Sequence, residues 1–371
     1  MKIGITGAEG FLGWHVRAWL RTFRPEVEIR AVGRKAFSGR ESLEAFCRGL
    51  DAIVHCAGQN RGEDTEVEAT NVALAKALAA ACQSACAPAI PRLVFANSTH
   101  IDRDSAYASG KRAAAGVLAS VAGEGSQFTN AILPNLFGEF GRPYYNSAIS
   151  TFCHQLTFGE KPEVHQDATL HLFHAQKAAA LLARAALGEG GGGEVRPQGE
   201  TTTVRAALDR LTQMHESYNT AGIVPDVSAP FDLELFNTLR SYRFPDRVQV
   251  PFRMHADVRG GLFETVKSAA GGQTFVSTTH PGITRGNHYH TGKFERFVVC
   301  SGEADISLRR LFSDQVVTFR VTGDAPCAID MPTFCAHNIT NAGTGPLITM
   351  FWANEIFDPE KPDTFSEQVT P

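Results

Sequence analysis

Residues 1–15 read MKIGITGAEGFLGWH. A short apolar run, KIGIT, stops at a glycine. Phe11, Leu12, His15, Val16 and Leu20 then recur at helical spacing. The reading is strand, turn, helix, with Gly7, Gly10 and Gly13 in and just after the turn. A turn without side chains lets backbone approach a diphosphate, and the helix N-terminus stabilises the negative charge. Three glycines alone say little; their place between strand and helix gives them weight. The plain alternative is a tight turn with no ligand.

Outward from that turn the alternation continues. EIRAVGR and DAIVHCAG read as the next strands and NVALAKALAAACQSA as a helix. RLVFANS is another buried strand, YASGKRAAAGVLASVAG a helix, and TNAILPNLFG a strand with its loop. Alternating units predict an α/β fold with a parallel, doubly wound sheet. Beyond about residue 150 the pattern loosens. QKAAALLARAALG, TVRAALDRLTQMHESY and FDLELFNTLRSY read as helices, the glycine tract 190–193 as a loop tip, and RFPDRVQVPF as a connection. After it come short runs such as QTFVSTTHPG, RFVVCSGEADISLRRL, QVVTFRVTG and LITMFWAN, divided by Gly, Pro, Asn and Asp. They predict an all-β sandwich or small barrel. The expected division is residues 1–245 and 246–371.

A chain of 371 residues has room for two such domains. A net charge of −4 gives no reason to expect nucleic acid as a partner. The eight cysteines are scattered, and Cys82 and Cys86 lack a zinc or redox spacing, so they read as small buried hydrophobes. The start of the chain lacks the charged and apolar regions of a signal peptide. No apolar run reaches the roughly 18 residues that span a bilayer. The expectation is a cytoplasmic protein without a membrane partner.

Three stretches carry chemistry. The second strand ends in VGRKAF, where a site preferring NAD usually has an acidic residue. Arg34, with Lys35 beside it, would instead attract a 2′-phosphate, so NADPH is expected; the alternative is a solvated surface charge. In YASGK, Tyr107 and Lys111 are four apart, on one face of a helix. A neighbouring ammonium should help the phenol ionise and exchange a proton with a carbonyl or alcohol. ANSTH, at an upstream strand end, offers a hydroxyl to the same oxygen.

The third stretch, GITRGNHYHTGKFERFVVCSG, spans residues 282–302 and reads G-x5-H-x-H-x4-E-x6-G. Alternate strand residues share a face, so His288 and His290 point the same way. Glu295 is expected from the paired strand, and His337 from a second turn–strand unit, MPTFCAHNITN. Three imidazoles and a carboxylate suit zinc or another divalent transition metal.

The glycine turn, HCAG, YASGK and LPNLFG together resemble the short-chain dehydrogenase/reductase superfamily, extended type, over roughly residues 1–240. The resemblance implies Tyr107 as catalytic acid, Lys111 as its partner and ribose ligand, and Ser98 as the carbonyl-orienting hydroxyl. Thr99 is the alternative, since NST leaves the alignment open by one. It also implies cofactor contacts from Gly7, Gly10, Phe11, Gly13, Arg34, Ala57, Gly58, Asn71, Pro134 and Asn135. Asn135, with Asn146 of YYNSAISTFC, would face the substrate. One segment departs from the pattern: LFHAQKAA replaces the usual aromatic-valine-acidic motif.

The two histidine stretches resemble the paired motifs of cupin barrels, although Phe334 stands where that pattern has glycine. DVRGGLFE and RGNHYH are also similar to sugar-nucleotide 3,5-epimerases, in which a histidine base works beside a ketone. His288 thus has two competing roles, ligand and base. The order of reductase then cupin, with PGITRGNHYH, AHNITN and FWANEIFDPEKPDTF, resembles the CapF family of capsular polysaccharide synthesis enzymes nearly end to end. That implies a homodimer acting on a UDP-linked 4-keto sugar, by C3 epimerisation in the cupin and NADPH reduction at C4. A different reading keeps the reductase and makes the cupin a non-catalytic, metal-stabilised dimerisation module.

Overall fold

The computed structural model describes residues 1–122, 128–258 and 260–370. Gly123, the last residue of one expected helix, and Arg259 of DVRGGLFE lie outside the described residues. The chain divides into two compact units, and the division is not one cut near residue 245. Met1–Phe137, Gly141–Ala148 and Asp167–Val204 form the first; Gly138–Phe140, Ile149–Gln166 and Arg205–Pro371 form the second.

In chain order the elements begin with β1 (Lys2–Thr6), α1 (Phe11–Phe23), β2 (Glu28–Val32), α2 (Arg40–Cys47), β3 (Ala52–His55) and α3 (Asp64–Cys86). Next come β4 (Arg92–Ser98), α4 (Ala106–Ala122), β5 (Phe128–Leu133), β6 (Asn135–Phe137), α5 (Ala148–Phe158), β7 (Thr169–His174) and α6 (Ala175–Leu187). Then follow β8 (Gly193–Val195), β9 (Glu200–Thr203), α7 (Val204–His215), β10 (Ile223–Val224) and α8 (Pro230–Ser241). Six strands form a sheet in the order β2-β1-β3-β4-β5-β8, all parallel. Period-2 alternation sorts its two cores. Val54, Val94 and Ala96 pack with Val16 and Leu20 of α1 and Leu182 of α6. Ile53, Leu93 and Phe95 pack with Leu43 of α2, Leu78 of α3 and Leu118 of α4. Both faces are covered, as a doubly wound sheet requires. The glycine tract is not all loop: Gly193 opens β8 and pairs with Thr129 of β5. A glycine run lacks the apolar alternation that marks a strand, which hides this edge.

The second unit is mostly antiparallel. It adds β11 (Gln249–Pro251), β12 (His255–Asp257), β13 (Gly260–Leu262), β14 (Lys267–Ser268), β15 (Gln273–Thr279), β16 (Thr284–Tyr289) and β17 (Glu295–Ser301). The chain ends with β18 (Glu303–Arg310), β19 (Val316–Thr322), β20 (Cys327–Met331), β21 (Cys335–Asn341), β22 (Leu347–Ala353) and β23 (Phe365–Ser366). Two five-stranded sheets, β11-β20-β17-β22-β15 and β19-β18-β21-β16-β23, make a cupin-type barrel. Phe297, Ile306, Leu308, Ile329 and Phe351 fill its interior. RFPDRVQVPF is thus more than a connection, because its QVP segment is edge strand β11 on β20. RFVVCSGEADISLRRL is two strands, split at Gly302, whose φ is +91°.

Helix α8 clusters with the barrel for a polar reason. Buried Arg240 donates to Met331 O at 2.7 Å, and buried Asn237 Nδ2 donates to Gly292 O at 2.8 Å. All eight cysteines are free; Cys82 is fully buried and Cys86 partly so. Among the described residues no helix is long and apolar enough to cross a membrane.

Candidate active sites

In the first unit the glycine turn and the strand ends around it frame a cleft of about 700 Å³. Of the residues expected at a cofactor, Gly7, Gly10, Arg34, Ala57 and Gly58 line it; Glu9, Gly33, Arg61 and Tyr145 also line it. Gly7 has φ +66°, and a Cβ there would lie 2.7 Å from Ala57 N. At Gly13 a Cβ would lie 2.2 Å from Gly7 O, so glycine lets α1 start hard against the turn. These features fit a dinucleotide diphosphate at a helix N-terminus.

Asn71 does not open into that cleft. It is buried, donates to Gln59 O at 2.7 Å and Val67 O at 2.8 Å, and accepts from Gln59 N at 3.2 Å. It therefore pins the turn after Gly58. Pro134 is buried, and Asn135 opens β6 in register with Leu172. Exposed Asn146 accepts from Arg61 Nε at 3.1 Å. The departing segment LFHAQKAA spans the end of β7 and the start of α6, with buried His174 packed on Phe137.

Ser98 ends β4, and Tyr107 is the second residue of α4, with Ser98 beside its phenol. The phenol is not eased toward ionisation as expected. Burial pushes it up, Ser98 opposes, and the neighbouring Tyr145 adds to the rise. Lys111 does not counter this. Its buried Nζ donates to Ala96 O at 2.8 Å and lies 4.3 Å from the centre of the Phe95 ring. Burial pushes that ammonium down to about 8. His55, beneath the cleft, meets Thr6 Oγ1 through Nδ1 at 2.7 Å and is held neutral, pushed down to about 3 by burial and then by Lys111.

The barrel gathers His288, His290, Glu295 and His337, whose ligand atoms all lie within 4.8 Å of one another. The route differs from expectation in one respect. β16 pairs with β21 and β23, not with β17. Glu295 therefore comes from the opposite sheet, because the turn after His290 crosses between sheets. His337 stands directly across from His288 in the β16–β21 ladder. A bulge at Asn287, with φ +62°, re-aims the end of β16.

Glu295 Oε2 lies 2.9 Å from His290 Nε2, 3.6 Å from His337 Nε2 and 3.9 Å from His288 Nε2. Burial would raise this carboxyl, but the three imidazoles outweigh it and hold it far below the usual range. Burial pushes His337 down to about 4. His290 Nδ1 faces Asp363 O at 2.6 Å, and His337 Nδ1 faces Cys335 O at 3.0 Å. A carbonyl only accepts, so each of these Nδ1 atoms carries a proton, and Nε2 faces inward. Both inward Nε2 atoms are buried without a sound hydrogen bond. Oriented imidazoles with a carboxylate fit a divalent metal ion. His288 is the most open of the three, with a quarter of its side chain exposed.

Asp363 escaped the sequence reading. Its carboxylate accepts from Thr291 Oγ1 at 2.6 Å and from the N–H groups of Thr291, Gly292 and Lys293, the last at 2.7 Å. Its backbone sits at φ +40°. One residue thus shapes the turn after His290 and aims the ring. KPDTF carries no periodic signal that would have flagged it. Phe334 has φ +59°, so the turn keeps the conformation for which glycine is usual.

Comparison with known proteins agrees with this two-part layout. Residues 3–182 match the NAD-dependent epimerase/dehydratase family, and residues 255–365 match the polysaccharide biosynthesis C-terminal domain. The chain is 33% identical over 384 aligned positions to the UDP-2-acetamido-2,6-beta-L-arabino-hexul-4-ose reductase of Pseudomonas aeruginosa, covering 100% of this chain and 99% of that one. The crystal structure of the capsular polysaccharide assembling protein CapF from Staphylococcus aureus matches with TM-score 0.59 and 31% identity, covering 100% of both chains. A UDP-N-acetylglucosamine 4-epimerase from Methanobrevibacter ruminantium, 15% identical with TM-score 0.53, covers 65% of this chain and 97% of its own and shares the fold of that portion. With both halves matched in order and from end to end, the chain belongs to the CapF family.

Proposed function

We propose that this is a bifunctional nucleotide-sugar enzyme. The barrel epimerises C3 of a UDP-2-acetamido-2,6-dideoxy-4-hexulose. The first unit then reduces the C4 ketone with NADPH, giving UDP-2-acetamido-2,6-dideoxy-L-talose on the route to UDP-N-acetyl-L-fucosamine for capsule or O-antigen. The carrying observation is one chain holding both a Ser98–Tyr107 pair with Lys111 near a glycine-turn cleft and a buried cluster of three imidazoles and a carboxylate. The name of the Pseudomonas relative, a 4-ketohexose reductase, supports the substrate class.

NADPH, when bound in the cleft, would supply the hydride. Burial keeps Tyr107 protonated, so it can give its proton to the oxygen as the ketone becomes an alcohol. Ser98 orients that oxygen, and Lys111 holds ribose hydroxyls. Arg34 takes the 2′-phosphate. In the barrel a bound divalent ion would polarise the ketone oxygen. His288 removes the proton at C3, which the neighbouring ketone acidifies, and a proton returns on the other face. We read the enzyme as a cytoplasmic homodimer.

Two variants test the division of labour. Tyr107→Phe should abolish NADPH oxidation while solvent deuterium still enters C3. His288→Ala should lose that exchange yet reduce a ketone supplied already epimerised. Reduction at the wild-type rate by Tyr107→Phe would remove the reductase assignment. A second reading rests on the mutual approach of all four donors within 4.8 Å. It makes His288 a fourth ligand in a closed, structural site. Absence of deuterium uptake by folded, metal-loaded protein would favour it.

A further inference from the structure

We propose that Glu9 is a cofactor-selecting residue: its carboxylate binds the adenosine ribose hydroxyls and keeps the cleft open to NADH as well as NADPH. This deepens, and rests on, the reading of the glycine-turn cleft as the nicotinamide-cofactor site.

The end of β2 reads Val32-Gly33-Arg34 and lacks the acid that holds ribose hydroxyls in NADH-preferring sites. The glycine turn supplies a carboxylate to that place. Glu9 lines the cleft together with Gly33 and Arg34. The turn is fastened to the strand end, since Ala8 N–H donates to Val32 O at 3.2 Å. A Cβ at Gly33 would lie 2.7 Å from Glu9 Oε2 and 3.1 Å from Oε1. The carboxylate therefore fills the space that a side chain at position 33 would take. Arg17 of α1 flanks it: its Nη1 donates to Ala8 O at 3.5 Å, and Glu9 offsets the burial that pushes this guanidinium down.

The chemistry follows from the charges. A carboxylate accepts hydrogen bonds from vicinal ribose hydroxyls. A 2′-phosphate at the same place meets a like charge from Glu9 and an opposite one from Arg34. Selectivity is the difference between two affinities, so these residues pull it in opposite directions.

The test is fluorescence titration of the full-length protein with NADPH and with NADH, reading a dissociation constant for each. Glu9→Gln should tighten NADPH and weaken NADH, moving the ratio of the two constants by about tenfold, the worth of one charged hydrogen bond. Gly33→Ala keeps every charge but takes the carboxylate's space, and should move the ratio the same way. Arg34→Ala should move it the opposite way. If both Glu9→Gln and Gly33→Ala leave the ratio within about twofold of wild type while Arg34→Ala shifts it, the Glu9 proposal is overturned and the Arg34 reading stands. If Glu9→Gln shifts the ratio and Arg34→Ala does not, Glu9 is supported as the selector and the Arg34 reading falls.

Discussion

The two units bury charge in opposite ways. In the first, the Lys111 ammonium lies under the cleft with a carbonyl and a phenyl ring as neighbours, and burial pushes it down to about 8. In the second, the Arg296 fork takes both oxygens of Asp330, at 2.7 and 2.8 Å, and the Tyr218 hydroxyl donates to the same carboxylate. Glu295 likewise sits among three imidazoles. One site is shaped by missing side chains and carries a charge that a ligand would complete. In the other, Arg296 and Asp330 already hold each other, and Asp363 already fills the turn that aims His290. The first should therefore break when something is added, and the second when something is removed.

Adding atoms at the glycine turn should have the largest effect. Gly13→Val would drive a side chain into Gly7 O, which a Cβ alone already approaches to 2.2 Å. Because the obstacle is backbone, α1 must move off the turn. Dinucleotide affinity should fall by over ~100-fold, with ~1–3 kcal/mol of stability lost to overpacking. Metal content, measured by atomic emission, should stay at the wild-type level. Loss of metal as well would show that the two sites are not independent.

Removing the uncompleted charge comes next. Lys111→Met should abolish reduction yet stabilise the free protein at pH 7. The ammonium is pushed down from an ordinary 10.5 to about 8, so its burial opposes folding by up to about 3 kcal/mol. The lost bond to Ala96 O leaves a net gain of about 1–2 kcal/mol. The sign fixes a window. The penalty is complete below about pH 8 and fades as pH rises toward 10.5, so the advantage of Lys111→Met should shrink from pH 7 to pH 9.5. Calorimetry at both values reads it, and a variant less stable than wild type at pH 7 would contradict the contrast between the units.

In the barrel, the matching removal is Asp363→Ala. It deletes the acceptor of the turn after His290 while leaving all four ligands. Metal affinity, measured by chelator competition, should drop about 10–100-fold, as for other groups that orient a ligand. Asp363→Asn should fall between. NADPH affinity should not move.

Legibility in the sequence follows the same divide. Gly7, Gly10 and Gly13 were readable because local sequence alone decides a strand–turn–helix. His288, His290 and His337 were readable because a strand's period of two puts H-x-H on one face. What local pattern cannot give is which sheet a strand joins. Glu295 was expected from a paired strand and arrives from across the barrel. QVP and GEV were missed as strands because three-residue edges show no period. Glu9 and Asp363 meet residues 24 and 73 positions away, Gly33 and His290. Local spacing holds no trace of such distances.

Phe334 gives the smallest test, and the finest. Its φ of +59° is a region that side chains avoid, and its ring is buried. Its N–H donates to His290 O at 2.8 Å, so the turn is tied to the histidine–carboxylate cluster. The barrel thus holds a left-handed turn with a large side chain, where the nucleotide turn uses Gly7 at φ +66°. Phe334→Ala loses the packing and keeps the backbone penalty. Phe334→Gly loses the same packing and sheds the penalty. Both should be less stable than wild type by about 3 kcal/mol or more. Glycine, normally the more disordering of the two, should here exceed alanine by about 1 kcal/mol. Chemical denaturation of the two variants decides it. If alanine is the more stable, the left-handed turn is not what Phe334 is held in, and the barrel's rigidity must come from elsewhere.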